Sequence, residues 1–276
     1  MLPEFEPLQP KTEKRAIAVN DSNSGFRGSL RRFVAAGRDV LFPPACVHCG
    51  VFFENGQFQD HQSRLCDDCI GNLAPTIANR CARCSAPVGP HLDTSTGCSR
   101  CHEEKWAFDR AVSIGVYDGA LRAAVLRMKQ RGGEPLAAGL AGLLFDQMPT
   151  ELTCSPIDAI VPVPHHWRNR LTHAHLPPLT LATILAKSLG TRVEQAIVAK
   201  VRYTPQQTNL TATERRRNLV NAFEPVGNPR LDGLSLLVVD DVMTTGQTAH
   251  RVALALRKAG AAKITVAVLA RGIGNS

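Results

Sequence analysis

Two groups of residues in this chain have types and spacings suited to chemistry. The first is a run near the C-terminus, L-L-V-V-D-D-V-M-T-T-G-Q-T, from Leu236 to Thr248. Asp240 and Asp241 are adjacent carboxylates, and Thr244, Thr245, Gly246, Gln247 and Thr248 form a small, hydroxyl-rich turn just beyond them. Free backbone N–H groups at the start of a helix, with a Gly that lets an anion approach, make a phosphate seat to which Thr hydroxyls add donors. Carboxylates repel phosphate. They accept hydrogen bonds from vicinal sugar hydroxyls, or hold a Mg²⁺ that a sugar and a pyrophosphate share. A ribose carrying a 5′-phosphate satisfies both halves. The bland alternative is a buried strand ending in a solvated acidic turn and a Thr-capped helix. No Lys follows the Gly and no G-x-G-x-x-G occurs, which excludes a Walker A loop and a dinucleotide fingerprint.

The second group is a set of four C-x-x-C pairs: Cys46/Cys49, Cys66/Cys69, Cys81/Cys84 and Cys98/Cys101. Each pair puts two thiolates on one tight knuckle, and two knuckles complete a tetrahedral S₄ site. The spacing predicts two Zn²⁺ sites filled in sequence order, 46/49 with 66/69 and 81/84 with 98/101. Cross-braced pairing of 46/49 with 81/84, and an iron–sulfur cluster in place of zinc, are the competing arrangements. His48, His61 and His102 lie near the knuckles but are surplus to eight thiolates. Cys154 stands apart as an inert thiol. With no secretory pattern at the N-terminus, a disulfide framework is not expected.

The elements that must hold these residues follow from periodicity. Leu236–Val239 is an unbroken apolar run, as in a strand buried on both faces, and Asp240 and Asp241 close it. Ala249–Ala259 reads as the following helix, with Gly260 ending it. Strands are also predicted at 111–117, 157–163 and 263–269. Helices are predicted at Leu121–Met128, Ala137–Phe145 and Pro178–Leu189, the last ended by Gly190. Alternating strands and helices imply an α/β fold with a parallel, doubly wound sheet. The turn after 157–163, V-P-H-H, would then face the same crevice as the acidic pair.

The motif V-V-D-D-V-M-T-T-G-Q-T resembles the phosphoribosyl pyrophosphate (PRPP) motif of type I phosphoribosyltransferases. That resemblance implies that the acidic pair binds the ribose hydroxyls and that Thr244–Thr248 cradle the 5′-phosphate. Further segments extend the likeness: A-F-D-R-A at 107–111, M-K-Q-R-G at 128–132, V-P-V-P at 161–164, T-P-Q-Q-T-N-L-T at 204–211 and E-R-R-R-N-L at 214–219. Together with the C-x-x-C pairs, they resemble the ComF family of bacterial phosphoribosyltransferase-domain proteins linked to natural competence, over about residues 30–271. The resemblance implies a type I phosphoribosyltransferase-like sheet flanked by helices, preceded by zinc ribbons. It assigns Asp240 and Asp241 to the ribose as the catalytic pair and Val163, Pro164 and His165 to a pyrophosphate loop. Lys129, Arg131, Gln207, Arg215 and Arg216 are implied to line the same pocket, with Mg²⁺ accompanying PRPP. One segment departs from the pattern. Where the family carries an Arg-Gly-Phe-Asn-Gln-like stretch, this chain has L-T-H-A-H-L-P-P, Leu171 to Pro178.

Composition sets the outer limits. The chain has 276 residues, 44% hydrophobic and 20% charged, with a net charge of +8. No eighteen-residue apolar run suggests a membrane span, so a cytoplasmic location is expected. Residues 1–45 hold seven Lys/Arg against five Asp/Glu, residues 46–104 four against seven, and residues 105–276 twenty-one against twelve. The positive surplus therefore lies with the sugar-phosphate motif, as suits a polyanionic ligand or nucleic acid. Four segments are expected: a disordered extension at 1–28, a basic amphipathic helix at 29–45, a cysteine module at 46–104 and the phosphoribosyltransferase-like domain at 105–276. Three functions fit: Mg²⁺-dependent phosphoribosyl transfer, PRPP sensing with single-stranded DNA binding in a DNA-uptake machinery, and recruitment of a partner protein by the zinc module.

Overall fold

A computed structural model describes residues 44–53, 63–164, 176–201, 222–227 and 229–273. The expectations for residues 1–43 fall outside this range, as do those for His61, His165, Gln207, Arg215 and Arg216. Residues 171–175 of the departing segment also lie outside it.

Five strands make a fully parallel sheet. They are β1 (Arg110–Val116), β2 (Ala159–Pro162), β3 (Arg192–Val193), β6 (Ser235–Met243) and β7 (Lys263–Arg271), in the spatial order β1-β7-β6-β2-β3. A separate antiparallel pair, β4 (Val198–Lys200) and β5 (Phe223–Pro225), packs on the last helix. The helices are α1 (Asp67–Leu73), α2 (Gly119–Met128), α3 (Glu134–Gln147), α4 (Pro149–Thr153), α5 (Pro177–Leu189) and α6 (Gln247–Lys258).

The unbroken apolar runs follow from burial on both faces of the sheet. Side chains alternate along a strand, so Leu236, Val238, Ile264, Val266 and Val268 enter one core while Leu237, Val239, Ala267 and Leu269 enter the other. The second core is closed by α2, α3 and α5. The first is closed by α6 and, alongside it, by Cys81, Cys84, Cys98 and Cys101. On that face a cysteine knuckle module does the covering that a second helix would otherwise do.

Sheet order locates the crevice. From β2 the chain moves outward to β3, whereas from β6 it moves the other way to β7. The reversal lies between β2 and β6, and ligands of open α/β sheets bind at the carboxyl ends of strands at such a point. Val161 pairs with Val238 and Pro162 with Val239, which sets the turn after β2 beside the end of β6.

Element ends differ from expectation in two instructive places. The strand carrying the acidic pair does not stop there; it runs on to Met243, because β7 is long enough to pair it as far as Arg271. Carboxylates look like strand breakers in sequence, but a continuing partner strand satisfies the backbone around them. The prolines of the departing segment, Pro177 and Pro178, open α5, where a missing N–H costs nothing. That helix ends at Gly190, whose φ of 62° is the left-handed cap the sequence suggested.

Candidate functional site

Asp240 and Asp241 lie in the second half of β6, both half-buried. The Asp241 backbone N–H donates to Asp240 Oδ1 at 2.9 Å. Lys129, the residue that ends α2, places its Nζ 2.5 Å from Asp241 Oδ2. Burial, and then the neighbouring Asp241 carboxylate, push the Asp240 carboxyl up to about 7. The Asp241 N–H, Lys129 and Lys200 act against that rise. Burial by itself would lower the Lys129 ammonium; Asp241, with smaller help from Asp240, outweighs it and holds Lys129 above its ordinary range. Lys200 shows the opposite balance, since burial lowers it more than Asp240 raises it. Two carboxylates are thus crowded at the crevice, with Lys129 the close cation among the described residues. Such a pair gains from any ligand that brings hydroxyl donors or a divalent cation.

The strand's end leads into Thr244, exposed, Thr245, half-buried, and Gly246, buried with φ +74°. Gly246 is the N-cap of α6 and brings no capping side chain of its own to the first turn. The nearest occupant is Thr245 Oγ1, which accepts from the Gln247 N–H at 3.4 Å. An anion bound here meets both the amides and the positive end of the helix dipole. Beneath the loop lies Arg271, only 3% exposed, whose Nη1 donates to the carbonyls of Met243 (2.9 Å), Thr244 and Gly272.

The eight cysteines gather into two groups, Cys46/Cys49/Cys66/Cys69 and Cys81/Cys84/Cys98/Cys101, with the four sulfurs of each within 4.8 Å of one another. A Zn–S bond of about 2.3 Å in a tetrahedron separates sulfurs by about 3.8 Å. The measured separations are 3.6 Å for Cys49–Cys66, 3.7 Å for Cys81–Cys101, 3.6 Å for Cys84–Cys98 and 3.9 Å for Cys98–Cys101. The residues fit zinc, and the sequential pairing is the one the fold adopts. Knuckle N–H groups overcome burial to draw Cys46 down to about 6 and Cys81 to about 7. Burial and then neighbouring thiols hold Cys69 and Cys101 well above the ordinary thiol. Four thiols compete for negative charge at each site, and a divalent cation removes that competition. The histidines are not needed as ligands: His48 Nδ1 lies 3.0 Å from Arg127 Nη2, and His102 Nδ1 lies 3.2 Å from the Cys98 carbonyl.

The crevice brings together Asp240, Asp241, Lys129 and the Thr244–Thr248 loop. Val163 and Pro164 are buried at the end of β2, and the Val163 N–H donates to the Val239 carbonyl at 2.8 Å. Arg131 is exposed, two residues past Lys129. Sequence reasoning missed Lys200 and Arg271. Lys200 belongs to none of the sequence motifs, yet its charge falls on Asp240. Arg271 had one available signal, a charged residue ending an apolar strand directly before Gly272.

The sheet, its crevice and the paired cysteine clusters define a phosphoribosyltransferase-type domain joined to a double zinc ribbon. Residues 179–275 match the phosphoribosyl transferase domain family, and residues 38–102 match the double zinc ribbon domain family. The DNA utilization protein YhgH of Salmonella typhi is 35% identical over 217 residues, which span 75% of this chain and 90% of that protein. Competence protein F of Haemophilus influenzae is 30% identical over 235 residues, spanning 82% and 96%. The chain belongs to this family, the ComF family. The crystal structure of an adenine phosphoribosyltransferase overlaps 52% of this chain and 74% of its own at 20% identity, with a TM-score of 0.32. That overlap carries no weight beside the family match. Among the described residues, no helix is long and apolar enough to cross a membrane.

Proposed function

We propose that this protein binds PRPP with Mg²⁺ in the crevice between the ends of β2 and β6, as a phosphoribosyltransferase-like protein serving DNA uptake or utilization. The observation that carries the reading is one continuous segment. It joins two half-buried carboxylates, one paired to Lys129 at 2.5 Å, to an uncapped helix start at Gly246. Asp240 and Asp241 accept the ribose hydroxyls. Thr244, Thr245, Gly246, Gln247 and Thr248 hold the 5′-phosphate, and Val163, Pro164 and His165 line the pyrophosphate end. Lys129, Arg131, Gln207, Arg215 and Arg216 supply positive charge around the polyanion. Hard carboxylate oxygens suit Mg²⁺, which, when bound with the pyrophosphate, neutralises charge on the departing group. What remains for the protein in transfer is orientation and electrostatic support. PRPP is a cytoplasmic metabolite, so the protein acts in the cytoplasm.

Calorimetric titration of PRPP with Mg²⁺ tests this directly. Wild type should bind, and Asp240→Asn/Asp241→Asn should lose about 2 kcal/mol or more of affinity, the scale of charged hydrogen bonds removed from a half-buried site. Binding by the double variant equal to wild type ends the assignment.

A second reading is favoured by two observations: the cationic excess of residues 105–276 and the departure at Leu171–Pro178. In it the site senses PRPP without turnover, and the basic surface binds single-stranded DNA or a protein of the uptake machinery. Pyrophosphate release with any nucleobase acceptor would favour transfer over sensing.

A further inference from the structure

The second cysteine cluster and the phosphate loop are built as one piece. Gly246 sits at φ +74°, and a Cβ placed on it would come 2.9 Å from Cε2 and 3.0 Å from Cζ2 of the Trp106 indole. Trp106 in turn stacks on Phe108, with centroids 4.8 Å apart and an interplanar angle of 20°. Its other support is Arg83, whose guanidinium carbon lies 5.3 Å from the ring centroid. Arg83 belongs to the C-A-R-C knuckle. Its Nη1 donates to the Cys101 carbonyl at 2.5 Å and its Nη2 to the Glu104 carbonyl. Three further bonds tie the same parts together. Gln247 Nε2 donates to Glu104 Oε2 at 3.5 Å, the Ala107 N–H to His250 Nδ1 at 3.0 Å, and Arg100 Nη1 to the Ile273 carbonyl at 2.8 Å. Burial, then Arg251, lower the His250 imidazole and leave it neutral to accept that bond.

The first cluster is attached elsewhere. Arg127 of α2 donates to the carbonyls of Val47 and His48, and Gly139 of α3 lies against Ser63 and Val47. Its contacts run to the opposite face of the sheet.

We propose that Trp106 is the positioning residue of the phosphate loop, held by the second cysteine cluster through Arg83. The 5′-phosphate affinity then depends on metal in Cys81/Cys84/Cys98/Cys101 and not on metal in Cys46/Cys49/Cys66/Cys69. The physical reason is that a left-handed Gly at a helix start has wide backbone freedom. The indole against its Cα removes that freedom before an anion arrives, and preorganised amides bind without a further ordering cost. This inference rests on reading Thr244–Thr248 as the phosphate seat.

The test uses the full, zinc-loaded chain with two probes, ribose 5-phosphate for the loop and Mg²⁺ pyrophosphate for the other end of the crevice. Trp106→Ala should weaken ribose 5-phosphate by about tenfold or more, as small misplacements of binding groups do. It should leave Mg²⁺ pyrophosphate within about twofold, because well-separated contacts act independently. Trp106→Phe, which keeps the aromatic wedge, should recover most of the loss. In the ligand-free protein, amide hydrogen exchange at residues 244–248 should quicken in Trp106→Ala and Cys98→Ser but not in Cys49→Ser. Equal weakening of both probes, or loop exchange that Trp106→Ala leaves unchanged, overturns the proposal. So does equal acceleration by the two cysteine variants. If wild type binds neither probe, the phosphate-seat reading falls, and the exchange comparison decides the packing claim alone. Should Trp106→Ala fail to fold, the contrast between Cys98→Ser and Cys49→Ser carries the test.

Discussion

Asp240 is a strained group in the folded protein. Its carboxyl is raised to about 7 by burial and by Asp241, against about 3.9 in an unfolded chain. The folded state therefore favours the protonated form. That stabilising contribution is full below about pH 4 and is lost as pH rises through about 7. Asp240→Asn removes the titration while keeping the shape. It should raise the melting temperature at pH 8 by about 2–4 °C, with little change near pH 4, and it should weaken PRPP in the same preparation. A stability gain that is equal at both pH values would show that Asp240 is not strained. Gly246 makes a complementary prediction. Alanine there needs a left-handed backbone and overlaps the indole at 2.9 Å, so urea unfolding should report a loss of about 2–4 kcal/mol. An unchanged midpoint would contradict the packing of Trp106 on the loop.

Among elements, the link between the cysteine module and the sheet does the most work. Asp109 of the A-F-D-R-A segment accepts a bidentate pair from Arg257 Nη2 at 2.7 and 2.8 Å, and its Oδ2 also accepts the Ile264 N–H at 2.7 Å. One short segment thereby clamps the end of α6 and the start of β7 beside β1. The cysteine clusters differ in what they support. Cys81, Cys84, Cys98 and Cys101 are all buried and share a core with Val238, Val266 and Val252. Cys49 of the first cluster is exposed. Thermal unfolding followed in the far ultraviolet should therefore shift further down in Cys84→Ser than in Cys49→Ser, since the first change opens a sheet face as well as a metal site. Equal shifts would mean that the second cluster is only an appendage. Native mass spectrometry should count two zinc ions per wild-type chain and one in each variant.

For the whole molecule, charge is unevenly distributed along the chain. The acidic balance of residues 46–104 and the basic surplus of residues 105–276 place any polyanion-binding surface on the sheet domain rather than on the ribbons. If that surface binds single-stranded DNA, affinity should fall with a log–log salt slope of about −0.7 per phosphate contacted. A filter-binding series between low and physiological salt would measure it. A flat response, or no binding at low salt, removes the DNA-binding reading while leaving the PRPP reading untouched.

The sequence by itself determined the parts whose signal is local. The apolar runs of β6 and β7 had to be buried on both faces. The D-D-V-M-T-T-G-Q-T order had to join carboxylates to a helix start, and C-x-x-C spacing had to make knuckles. Even the helix-ending Gly190 was legible, because its conformation is a property of one residue. What only the tertiary structure decided are the long-range pairings. Lys129 meets Asp241 across 112 residues of chain, Lys200 turns its charge on Asp240, and Arg271 fills the space under Thr244. None of these is periodic, so none leaves a pattern to read. The strand's continuation past the acidic pair depended on the length of β7, and the pairing of the knuckles on which sulfurs the chain could bring within 4.8 Å. The seating of Gly246 on Trp106 joined residues 140 positions apart in the chain. Packing alone makes that contact, because a glycine carries no side chain to advertise what lies against it.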